Sequence, residues 1–133
     1  MLCGCDREAE TRAEAKQLLE RLQALSGDGT LSQRQTVLDG LRTMELREPE
    51  HAHARDVCLG AHEQLLQAEA AQTAARKALD DATKAQAGGS GIPPERGRAI
   101  AADLQRSNDA LAASKRAFPQ CEELTLKLTR VGR

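Results

Sequence analysis

The stretch AQAGGSGIPPE, residues 85–95, decides how this chain is organised. Gly88-Gly89-Ser90-Gly91 interrupts a long helix-forming run, and Pro93-Pro94 is suited to start another, since proline fits the first turn of a helix and glycine ends one. On either side the apolar and small residues recur at alternating spacings of three and four. Before the break they are Cys58, Ala61, Leu65, Ala68, Gln72, Ala75, Leu79 and Ala82. After it they are Gly97, Ile100, Leu104, Ser107, Leu111, Ser114, Phe118, Cys121, Thr125 and Leu128. Such spacing is a heptad seam, which places one stripe of each helix against a partner. The reading is a long antiparallel helical hairpin, about 49–87 and 93–131, with residues 88–92 as its turn. Pro119 lies inside the second arm and is expected to kink or interrupt it near Lys115 to Phe118.

Two shorter helices precede the hairpin. The first is expected from about Asp6 or Arg7 to Leu25, because Thr11, Ala15, Leu18, Leu22 and Leu25 fall on one stripe. Ser26-Gly27-Asp28-Gly29-Thr30 stops it. Ser32-Gln33-Arg34-Gln35 then has the pattern of a capping box, and the helix it opens turns Val37, Leu38, Leu41 and Met44 inward. Pro49 fits the first turn of the long helix. Both short helices are expected to pack on the open end of the hairpin. The fold class is therefore all-α, and the chain reads as one domain, 1–133.

Composition agrees. Lys, Arg, Glu, Gln, Ala and Leu, all good helix formers, dominate the chain, which has one Phe and neither Trp nor Tyr. With 19 basic and 20 acidic residues the net charge is −1, and no dense basic face or aromatic platform offers itself to nucleic acid. No run of 18 apolar residues is long enough to span a membrane.

Cys58 and Cys121 lie equally far from a turn centred between Gly89 and Ser90, and both fall on the seams. A disulfide needs Cα atoms about 4.4–6.8 Å apart, which close seam packing supplies. The expectation is a Cys58–Cys121 bridge, and with it an oxidising compartment. The alternative is a pair of separate buried thiols.

Other chemistry is sparse. His51, Cys58 and His62 share a helical stripe and Cys121 faces Cys58, so a zinc or copper set is conceivable. The bridge competes for the same sulfurs, and solvated histidines are the plainer account, His51 being close to a helix start. Glu8, Glu10, Glu14, Asp80 and Asp81 read as solvated outward faces. The sequence has no G-x-S-x-G, phosphate-loop or H-E-x-x-H pattern. With two prolines beside it, the glycine turn is a better hairpin turn than an anion site. No catalytic, cofactor or metal residue is assigned, and the chain is expected not to be an enzyme.

Leu2-Cys3-Gly4-Cys5 resembles the lipobox of bacterial lipoproteins, in which a Leu and two small residues precede a lipidated Cys. The resemblance covers these four residues. It implies that Cys5 is the acylated first residue of the mature protein, with residues 1–5 a processing remnant, and that Asp6 follows it, an arrangement associated in some bacteria with inner-membrane retention. It also implies a basic and apolar leader encoded ahead of Met1. The functional expectation is a small non-enzymatic scaffold or adaptor of the bacterial cell envelope, membrane-anchored by lipid or periplasmic, serving a protein partner. Two rivals stand beside it. One is a cytoplasmic coiled-coil interaction protein or chaperone with reduced cysteines. The other is a metal-binding or redox protein using Cys58, His62 and Cys121.

Overall fold

The computed structural model describes residues 3–26, 29–89 and 91–133. Helix α1 spans Cys3–Gln23 and runs into a short 3-10 turn, Ala24–Ser26. Helix α2 is Leu31–Arg42, α3 is Pro49–Ala87 and α4 is Pro94–Val131. The described residues are 88% helical and contain no strand, against about a third helix in ordinary globular proteins, so the chain is all-α. Helices α3 and α4, of 39 and 38 residues, pack along each other as the antiparallel hairpin, and α1 and α2 pack at its open end.

The proline and glycine signals act where expected. Pro49 and Pro94 occupy the first turns of α3 and α4, while Gly88 caps α3. Gly89 carries the turn at φ 91°, a conformation that costs a side-chain-bearing residue energy and glycine little. Ser90 lies outside the described residues.

The seam differs from its expectation in one instructive way. Only the period-seven half of each arm is buried along its whole length: Ala54, Ala61, Ala68, Ala75 and Ala82 on α3, and Ile100, Ser107, Ser114, Cys121 and Leu128 on α4. The other half is not. Gln72 and Gly97 are exposed, Leu79 and Leu104 are about half exposed at 50% and 47%, and Leu111 is 37% exposed. Small residues let the two backbones come close, and the Ser107 hydroxyl donates across the gap to the Ala68 carbonyl at 2.8 Å. At that separation there is no room between the helices for a second row of leucines, so they stand at the rim.

Pro119 does not break α4, which is continuous from Pro94 to Val131. Proline removes the helix bond to the carbonyl four residues back, that of Lys115. Both Pro119 and Lys115 are exposed, so the carbonyl left without its helix bond lies on the solvent side of α4.

At the base, a compact cluster replaces the thin alanine seam. Ala15, Leu18, Leu22 and Leu25 of the α1 stripe meet Leu38 and Leu41 of α2, and these close over Ala54, Cys58, Leu66, Cys121 and Leu128. Leu66, off the expected seam, is buried because α2 covers that side of α3; Leu65 is half-buried. Burying a leucine stabilises by about 1.5–3 kcal/mol, several times what an alanine offers, so this end holds most of the hydrophobic stabilisation.

The capping box of α2 lies two residues earlier than expected. The Gln33 N–H donates to the Thr30 hydroxyl at 3.2 Å, and the Thr30 N–H to the Gln33 side-chain carbonyl at 2.9 Å. Thr30-x-x-Gln33 and Ser32-x-x-Gln35 fit the pattern equally well. Starting the helix at Leu31 lets that residue pack against the core, which decides between them.

Candidate functional site

The base of the hairpin gathers the chemistry-bearing side chains. Cys58 and Cys121 meet across α3 and α4 with Sγ atoms 2.03 Å and Cα atoms 4.8 Å apart, 63 residues apart in the chain. Both are buried. The Thr125 hydroxyl, which donates to the Cys121 carbonyl at 2.8 Å, sits 3.8 Å from the Cys58 sulfur. The bridge thus ties the two arms together within the cluster that α1 and α2 cover.

Glu14 of α1 forms the second junction. Its carboxylate accepts from the backbone N–H of Arg47 at 2.8 Å, from that of Glu48 at 3.1 Å and from His51 Nδ1–H at 2.8 Å. Glu48 is the N-cap of α3 and makes no capping bond with its own side chain, so Glu14 supplies the negative group that a helix start attracts. Glu48 instead accepts from the Thr11 hydroxyl at 3.1 Å, and Arg47 pairs with Glu10 at 2.7 Å. Burial alone would raise the Glu14 carboxyl. The two backbone donors and His51 outweigh it and hold it below the usual carboxylate range. Glu14 and His51 are therefore not the solvated side chains that the sequence suggested. Both are buried or nearly so, and they lock α1 to the start of α3.

A third junction mirrors the second. Arg55 of α3 donates to the Met44 carbonyl at 2.6 Å, just past the end of α2, where helix carbonyls lack partners. Arg34 and Arg42 of α2 form ion pairs with Glu69 and Glu63 of α3.

His62 is engaged with an aromatic ring. Its ring meets Phe118 edge-on, with centroids 4.9 Å apart, and its Nδ1 is buried without a hydrogen-bond partner. Burial, and then the nearby Arg34 charge, lower its pKa from the usual 6.5. His51 is engaged with Glu14, and His53 is exposed. Cys58, Cys121 and His62 are not set around one point, and among the described residues no group of three or more His, Cys, Asp or Glu converges as a metal site.

At the N-terminus, Cys5 is an exposed free thiol in the first turn of α1. Met1, Leu2 and the side chain of Cys3, part of the lipobox-like stretch, lie outside the described residues. Among those described, no helix is long and apolar enough to cross a membrane. Comparison with protein-family models, curated proteins and solved structures finds no match for this chain.

The remaining feature is a surface. Helix α2 covers one flank of α3 as far as Leu66, Gln67 and Ala70, where Leu31 begins it. From Ala70 to the turn is about 26 Å of α3 at 1.5 Å per residue. Along this length Leu79, Leu104 and Leu111 remain exposed. The heptad spacing alone treated these leucines as core.

Proposed function

We propose that this chain is a non-enzymatic scaffold or adaptor of the bacterial cell envelope, a cross-linked helical hairpin held to the membrane by lipid on Cys5. One observation carries the reading: Cys58 and Cys121, from opposite arms, are seated at bonding distance inside the packed base. Bridges of this kind persist where thiols are not kept reduced. That agrees with the secretory address implied by the resemblance of Leu2-Cys3-Gly4-Cys5 to a lipobox. The exposure of Cys5 is compatible with an acyl chain leaving the protein there. A braced base and a long exposed arm suit a protein that presents a surface to a partner.

The test is thiol trapping in the source cells, by acid quenching and labelling with a maleimide polymer, together with the intact mass of the protein. The expected result is that Cys58 and Cys121 are labelled only after reduction and that the mass carries an acyl addition on Cys5. A soluble, unacylated protein with both core cysteines labelled at once would overturn the reading in favour of the cytoplasmic coiled-coil protein.

A further inference from the structure

We infer that the open flank of the hairpin tip is a self-association surface, whose occupant is the same flank of a second copy of this chain. The inference starts from the half-seam left exposed. In the register fixed by Cys58 and Cys121, Leu79 of α3 lies level with Ile100 of α4 and one turn from Leu104, and Gln72 level with Ser107 and one turn from Leu111. The same rows at the base are covered by the protein's own helices: Leu65 and Phe118 are half-buried, and Cys58 is sealed. The covering helical layer ends at Thr30, yet the apolar row continues toward the turn. A helical layer of the same kind, supplied from outside, completes it.

Two features of the flank favour a second copy over an unlike chain. The first is charge. Gln72 on the row, and Thr83, Ala101 and Asn108 one turn from its leucines, are exposed and uncharged. The charges nearest the row on α3, Arg76 and Asp80, are opposite in sign and flank Leu79. A two-fold axis beside Leu79 runs the two α3 helices antiparallel and sets Arg76 of each copy against Asp80 of the other, so the surface complements itself. The second is area. A flank about 26 Å long and two helices, roughly 20 Å, wide covers roughly 500 Å² per copy, or about 1,000 Å² in all. That is at the lower edge of specific interfaces, the size class of weak, reversible association.

The experiment uses the full chain with its disulfide intact and its free thiols alkylated, so that no intermolecular sulfur chemistry contributes. Sedimentation equilibrium should show a monomer–dimer equilibrium in the micromolar range. Leu104→Glu should raise the dissociation constant by about tenfold or more, while Leu126→Glu, exposed but off the row, should leave it unchanged. Arg76→Asp alone should weaken the dimer, and combining it with Asp80→Arg should restore it. Should circular dichroism show that Leu104→Glu disturbs the fold, the charge exchange decides instead. A chain that stays monomeric up to several hundred micromolar, or a dimer indifferent to both Leu104→Glu and the charge exchange, overturns the inference.

Discussion

The two ends of the hairpin are built from the same pair of helices and stabilised by different means. The base buries leucines from four helices, ties α3 to α4 through Cys58 and Cys121, and fastens α1 and α2 through Glu14 and Arg55. The tip has a row of alanines against Ile100 and Ser107, the Ser107 hydroxyl bonded to the Ala68 carbonyl near its lower limit, and leucines at the rim. Helix propensity is similar in both halves, so the difference lies in packing. A heptad pattern makes two helices adhere. Large side chains, covered from a third direction, make them stable.

The sharpest way to break the contrast is to remove the bridge. Closing a loop of 63 residues is worth about 4 kcal/mol through the entropy it takes from the unfolded chain. Reduction, or the double change Cys58→Ala and Cys121→Ala, should therefore lower Tm by roughly 10–20 °C for a chain of this size. Hydrogen exchange sharpens the result: amides around Cys58 and Cys121 should lose protection while those near Gly88 and Gly91, already weakly held, change little. A base that keeps its protection after reduction would mean that leucine packing alone accounts for the difference.

Paired truncations measure the packing itself. Leu18 is fully buried at the base, and Leu18→Ala should cost about 2–5 kcal/mol in urea unfolding. Leu104→Ala, at the half-exposed rim of the tip, should change stability by no more than about 0.5 kcal/mol under conditions where the chain is monomeric. Equal losses at the two sites would erase the distinction drawn here.

The smallest effect is one of pH, and it belongs to the base. His62 has its pKa lowered by burial and by Arg34, so the unfolded chain takes up the proton at a higher pH than the folded one. Stability from this site is complete above about pH 6.5 and is lost as the pH falls through the folded value. Glu14, whose carboxyl is held low, loses its contribution further down, as the pH falls below the usual carboxylate range. The Tm of the wild-type chain should decline between about pH 7.5 and 5.5, and that decline should be shallower in His62→Gln. An identical slope in the variant would show that His62 is as solvated in the fold as out of it.

Much of the architecture could be read without coordinates because its signals are local. Proline and glycine placed the boundaries of α3 and the turn; the alternation of three and four placed the facing stripes. Given the stripes and the turn, the distance from Cys58 and Cys121 to Gly89 followed by counting. Several features were not legible for a common reason. Whether Thr30 or Ser32 caps α2 depends on where Leu31 packs. Whether Glu14 and His51 are solvated depends on α1 crossing the start of α3. Whether Pro119 breaks α4 depends on which side of the helix faces water.

What the sequence by itself determined, then, is which residues are helical, where the chain reverses and which cysteines can meet. These follow from backbone propensities and from a periodicity that every residue carries with it. What only the tertiary structure decided is how deep each half of the seam lies. The alanine and serine rows draw the backbones so close that the leucines of the other rows are core where α1 and α2 cover them and surface where they do not. A heptad pattern states which residues share a stripe, but the separation of two helices is set by the bulk of every contact between them, and covering that stripe needs a third element from elsewhere in the chain.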